Sequence, residues 1–91
     1  MMEPSPEAGS IVRSIQGRDK DTAYVVLRVE IGQRGPECLV ANGIERKLDA
    51  PKRKNPRHLR LIAEAKAFTQ HAAAPTDAAL REALRAYRTT R

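Results

Sequence analysis

Seven of the chain's 17 Lys and Arg residues fall within the fifteen positions Arg46 to Arg60, RKLDAPKRKNPRHLR. They are Arg46, Lys47, Lys52, Arg53, Lys54, Arg57 and Arg60, set against one acid, Asp49. The chain's net charge is +6, so this segment carries all of it and the other residues balance ten bases with ten acids. A guanidinium group grips phosphate through two parallel hydrogen bonds, and an ammonium group acts as a mobile point charge. Pro51 and Pro56 bracket the centre of the segment, exclude a helix there and stiffen it in an extended form. Extended backbone spaces residues about 3.3 Å apart, a pitch from which side chains reach successive phosphates. The chemistry this implies is non-covalent docking on a polyanion. The plain alternative is a solvated charged loop. His58, between Arg57 and Arg60, adds a hydrogen-bond donor to phosphate or to a 2′-hydroxyl.

A second candidate is the polar stretch Ile15 to Thr22, with Gly17, Arg18, Asp19 and Lys20 in sequence. Gly17 supplies a backbone angle that a side chain would forbid. Arg18 and Lys20 are placed to touch a nucleic-acid backbone while Asp19 orders the loop. Catalysis finds no support. There is no Walker-type phosphate loop, no histidine pair at metal spacing and no nucleophile motif, so no enzyme, cofactor or metal is expected. The single cysteine, Cys38, can form no intrachain disulfide and reads as a small buried strand residue. Three aromatic residues, Tyr24, Phe68 and Tyr87, are too few for a base-stacking platform.

The elements that must position these groups are short. Ser10 to Ser14 is a strand candidate. Ala23 to Ile31 is the strongest, with Val25, Leu27, Val29 and Ile31 on one face and Tyr24, Val26, Arg28 and Glu30 on the other. Gly32 to Pro36 reads as a loop. Glu37 to Ala41 is a third strand, and Asn42-Gly43 predicts a tight hairpin returning along Ile44 to Leu48. Leu59 to Ile62 is a fifth short strand. Ala63 to Ala74 is helix-prone until Pro75. Thr76 or Asp77 then caps a helix with Leu80, Leu84 and Tyr87 on one face, which can dock on the barrel or on a partner. Short strands joined by tight turns predict a small β-barrel, a form that leaves few exposed edges.

The stretch Gly9 to Glu30, GSIVRSIQGRDKDTAYVVLRVE, resembles the KOW motif of ribosomal proteins and NusG-type elongation factors: strand, glycine-bearing basic turn, second strand. Val12 lies on the first strand, Gly17 matches the motif glycine, Lys20 the basic residue, and Val25 to Val29 the second strand. Asp21 stands where the motif usually has a second glycine, and lowers the local positive charge. With Asn42-Gly43, Arg46-Lys47, Pro51-Lys-Arg-Lys54 and Arg57-His-Leu59, the likeness covers about residues 9–62 and extends to small bacterial KOW-domain proteins related to large-subunit ribosomal proteins. Pro75 to Leu84 is similar to the C-terminal helix of that group. The resemblance implies an SH3-like barrel that binds RNA.

The resulting expectation is mainly β: a disordered lead over residues 1–8, an SH3-like barrel of four to five strands over 9–62, and a helical extension over 63–91. Arg18, Lys20, Arg46, Lys47, Lys52, Arg53, Lys54, Arg57, His58 and Arg60 are the expected RNA-binding residues, with Gly17 and Asp19 forming the motif turn. The partner is structured RNA, ribosomal RNA first, in a translation-associated role in the cytoplasm. The rivals are a module for ribosomal or transcription proteins, and a duplex DNA binder using the proline-flanked basic segment in a minor groove. No apolar run approaches the roughly 18 residues needed to span a membrane.

Overall fold

The computed structural model describes residues 6–63 and 76–87. The expected helix over Ala63 to Ala74 lies outside these residues apart from Ala63, as does most of the expected N-terminal lead. Five strands form one antiparallel sheet: β1 (Ile11–Ser14), β2 (Ala23–Gly32), β3 (Gly35–Ala41), β4 (Lys52–Lys54) and β5 (Leu59–Ala63). Their order across the sheet is β4-β3-β2-β1-β5. A 3₁₀ turn at Pro56–His58 joins β4 to β5, and helix α1 (Asp77–Leu84) runs into a second 3₁₀ turn at Arg85–Tyr87. No helix among the described residues is long and apolar enough to cross a membrane.

The sheet curls. Flat, its edge strands β4 and β5 would stand about 19 Å apart, four spacings of roughly 4.8 Å. Only Asn55 to His58 connect them, and the last three of these lie in a 3₁₀ turn, which rises only about 2 Å per residue. That linker reaches across only if the edges bend toward each other. Two contacts across the curl agree: Lys54 Nζ on β4 donates to Gln16 O beyond β1 at 3.3 Å and to Asp19 Oδ1 in the loop after β1 at 2.9 Å. The result is the small barrel-like, mainly β fold expected from the strand pattern.

Both faces of the sheet are buried. Val12, Tyr24, Val26, Cys38, Val40 and Leu59 pack together inside the curl. Ile11, Ala23, Val25 and Ala41 pack on the other face under Leu80 and Leu84 of α1. Alternate residues of β1, β2 and β3 thus serve opposite cores, as the period-two geometry of a strand requires. The single aliphatic face expected for Val25, Leu27, Val29 and Ile31 is corrected. The β2–β3 register shifts between Val26 and Arg28, and an extra residue there moves the later side chains across the sheet. Val25 and Leu27 face α1, Val29 joins the core inside the curl, and Ile31 is 81% exposed.

The expected hairpin return along Ile44 to Leu48 is also corrected. Ala41 is followed by a compact loop, and the returning strand begins only at Lys52. Asn42 Oδ1 accepts from Ile44 N at 3.0 Å and Arg46 N at 3.1 Å, while Arg46 O accepts from Asn42 N and Gly43 N. Leu48 N donates to Asp77 Oδ1 on α1 at 2.8 Å. The amides a ladder would need are spent within the loop and on the helix. The extended segment between the prolines becomes β4, pairing Cys38, Leu39 and Val40 with Lys54, Arg53 and Lys52.

Thr76 caps α1, its Oγ1 accepting from Ala79 N at 3.0 Å. Leu80 and Leu84 are fully buried, each contributing about 1.5–3 kcal/mol by removal from water. Arg81 donates to Gly43 O at 2.9 Å and Arg13 to Tyr87 O at 2.7 Å. These bonds fasten the middle of the helix to the β3–β4 loop and the turn that follows it to β1.

Candidate nucleic-acid interface

The β1–β2 loop, residues 15–22, is the centre of the site. Ser14 N donates to Thr22 O, Lys20 N to Gly17 O, and Asp21 N to Ser14 O at 2.7 Å. Two residues take left-handed backbone angles: Gly17 with φ 95° and Asp21 with φ 77°. Gly17 does so at no cost. Asp21 carries a glycine-like conformation on a side-chain residue.

Asp19 forms a four-donor hub. Its Oδ1 accepts from Ser14 Oγ and from Lys54 Nζ, both at 2.9 Å, and its Oδ2 accepts from the Tyr24 hydroxyl at 2.7 Å and Lys52 Nζ at 3.3 Å. Burial pushes this carboxyl up, but the hydrogen bonds from Lys54, Tyr24 and Ser14 and the Lys54 charge outweigh it and hold the group well below the usual carboxylate range. Burial, the bond to Asp19 and the Asp19 charge push the Tyr24 hydroxyl well above its ordinary value against the opposing charge of Arg46. Burial raises the Cys38 thiol, which is not the setting of a reactive cysteine.

This hub corrects the expectation for the basic centre. Lys52, Arg53 and Lys54 are not an outward-facing row of free cations. β4 is a strand, so Lys52 and Lys54 share one face and Arg53 takes the other. The two lysines turn inward to Asp19, and the Lys54 side chain is only 7% exposed. Arg53 pairs with Glu30 at 3.1 Å and Glu37 at 3.3 Å. Glu30, also bonded to Arg28, is held below its ordinary range, first by the Arg28 hydrogen bond.

Other cations remain available. Arg18, Lys20, Arg46, Lys47, Arg57 and Arg60 are exposed, and none makes an ion pair or side-chain hydrogen bond with a described residue. All but Arg60 come from three loop regions that meet at one end of the barrel. The β1–β2 loop faces the β3–β4 loop across a groove lined by Lys20 to Ala23 on one side and Asn42, Ile44 and Glu45 on the other. On its other flank, Ile15 N bonds to His58 O, which brings in the turn bearing Arg57 and His58. Arg60 follows on β5 opposite Arg13. Asp21, Glu45 and Asp49 lie on the same loops and leave this end net positive. Arg34, in the β2–β3 turn at the opposite end, likewise has no ion pair or side-chain hydrogen bond among the described residues.

The structure thus brings together Arg18, Lys20, Arg46, Lys47, Arg57 and His58 around the loop end, and withdraws Lys52, Arg53 and Lys54. Sequence reasoning missed Ser14 and Tyr24 as hub members. Their partner Asp19 is five residues from each, but what makes the cluster coherent is Lys54, 35 residues away. No protein-family model matches the chain, and no curated protein matches it.

Proposed function

We propose that this protein binds structured RNA, ribosomal RNA first, by electrostatic docking of its loop end. The single observation that carries this reading is the sorting of its cations. Those of β4 are neutralised by Asp19, Glu30 and Glu37, while five on the adjoining loops, and Arg60 near the start of β5, have no acidic partner among the described residues. Ion pairing is cheap at a surface, so exposed cations left without an acidic partner on hydrogen-bonded loops form a surface suited to phosphate. The resemblance of residues 9–62 to KOW domains supports RNA over other polyanions. Phosphate contacts of this kind position a duplex or fold by shape, with no chemical step.

Two features favour this reading over its rivals. The apolar face of α1 is used against the sheet, with Leu80 and Leu84 fully buried, so it is not offered to a protein partner. The basic segment between the prolines is a paired strand, so it is no free arm for a DNA minor groove.

The test is fluorescence anisotropy of a labelled structured RNA across a salt series, with duplex DNA as competitor. Four to six phosphate contacts give a log K against log salt slope of about −3 to −5. The quadruple change Arg18→Ala, Lys20→Ala, Arg46→Ala and Lys47→Ala makes that slope shallower by about 3, whereas Arg53→Ala leaves it unchanged. An unaltered affinity in the quadruple variant, or equal competition by duplex DNA, refutes the reading.

A further inference from the structure

The groove between the β1–β2 and β3–β4 loops, with Lys20 to Ala23 on one wall and Asn42, Ile44 and Glu45 on the other, has features that phosphate docking does not use. We propose that it takes one unstacked guanine of an RNA loop, with the Asp21 carboxylate as the group that reads the base. The proposal rests on the RNA-binding reading above and deepens it to a base preference.

Asp21 is poorly explained by the fold alone. Its φ of 77° is one that glycine adopts without strain. Its structural bonds are made by backbone atoms: its N–H donates to Ser14 O at 2.7 Å and its carbonyl accepts from Arg13 at 3.0 Å. Glycine would make both. Its carboxylate, by contrast, has no hydrogen bond or ion pair with a described residue. Set beside Lys20, it also opposes the approach of phosphate. A carboxylate that the fold does not use, and that repels the ligand's phosphates, is suited to accept hydrogen bonds from a different part of that ligand.

Guanine supplies the matching donors. Its Watson–Crick edge carries N1–H and N2–H side by side, one for each carboxylate oxygen. Adenine, cytosine and uracil each put an acceptor beside their donor, which a carboxylate repels. The rest of the groove fits a base. Ala23 and the part-exposed Ile44 offer apolar surface to the ring, and the Thr22 hydroxyl has no partner among the described residues. Lys20 and Arg46 sit on the loops of the two walls, where they hold the flanking phosphates.

The experiment compares two RNA hairpins that differ only in one unpaired loop base, guanine or adenine, by anisotropy with the full chain. The guanine hairpin is expected to bind at least roughly tenfold tighter, the scale of one bidentate base contact. Asp21→Asn keeps the backbone, since asparagine accepts positive φ, but presents a donor beside its acceptor. Asp21→Gly keeps the backbone and removes the carboxylate. Both are expected to bring the ratio to about one without weakening the adenine hairpin, with circular dichroism confirming the fold. Equal binding of the two hairpins by the unaltered protein, or a ratio that survives in either variant, overturns the guanine assignment while leaving RNA docking in place. Binding of neither hairpin overturns both readings.

Discussion

Replacing Asp19 with alanine tests the architecture most directly. The substitution strips Lys54, whose side chain is 7% exposed, of its counterion. What remains within its reach is Gln16 O at 3.3 Å. The Tyr24 hydroxyl loses its acceptor at 2.7 Å, while Ser14 keeps Gln16 O at 3.0 Å and the more exposed Lys52 turns to water. Stranding one member of a buried pair costs about 3–5 kcal/mol, and an orphaned buried hydroxyl contributes about 1–3 kcal/mol toward that. Small domains hold only about 5–15 kcal/mol in total, so the loss takes a large share. At roughly 4–8 °C per kcal/mol, the Tm falls by at least roughly 12 °C. Urea denaturation at pH 7 followed by far-UV circular dichroism measures it as a lower midpoint at unchanged slope. In a Lys54→Met background the same Asp19 change is expected to cost markedly less, because no charge is left stranded. A loss below about 1 kcal/mol, or an equal loss in both backgrounds, refutes the hub, given what breaking a buried pair costs. The pH dependence follows from the depressed carboxyl. Its stabilisation is present above the unfolded value near 4 and is lost as pH falls from there toward the lower native value. The gap between the unaltered protein and Asp19→Asn therefore closes on acidification.

Tyr24 gives the opposite sign. Its native hydroxyl titrates well above the unfolded value of about 10, so its contribution is full below that pH and declines above it; Tyr24→Phe should lower stability at neutral pH and flatten the alkaline limb of the stability profile. Asp21→Gly relieves a residue at φ 77°, and thermal melting should show a gain of up to about 1 kcal/mol; a loss would mean that the Asp21 side chain supports the fold. Gly43, also at φ 77°, has no room for a Cβ, which would meet the backbone carbonyl of Asp77. Gly43→Ala should therefore cost about 1–3 kcal/mol and increase hydrogen exchange in α1, and native-like protection there would refute the docking of α1 on this loop.

Much of this protein was legible from neighbouring residues alone. The strands β1, β2 and β3, the left-handed glycine at Gly17, the extended segment between Pro51 and Pro56 and the Thr76-capped helix all follow from interactions over a few positions. Local preference does not reach further. A one-residue bulge at Leu27 moved Val29 to the other core, and nothing in the residues Val25-Val-Leu-Arg-Val29 announces a bulge. The Asn42-Gly43 pair has the composition of a tight turn, yet the bonds of Asn42 Oδ1 and the pull of Asp77 on Leu48 N made it the start of a longer loop. The basic segment shows the division best. Its charge was evident in the chain, but which cations stay available was decided by curling of the sheet. That curl carries Lys52 and Lys54 across 33 and 35 residues to one carboxylate. Charge is a property of composition, whereas its neutralisation depends on distance, and distance exists only once the chain has closed on itself.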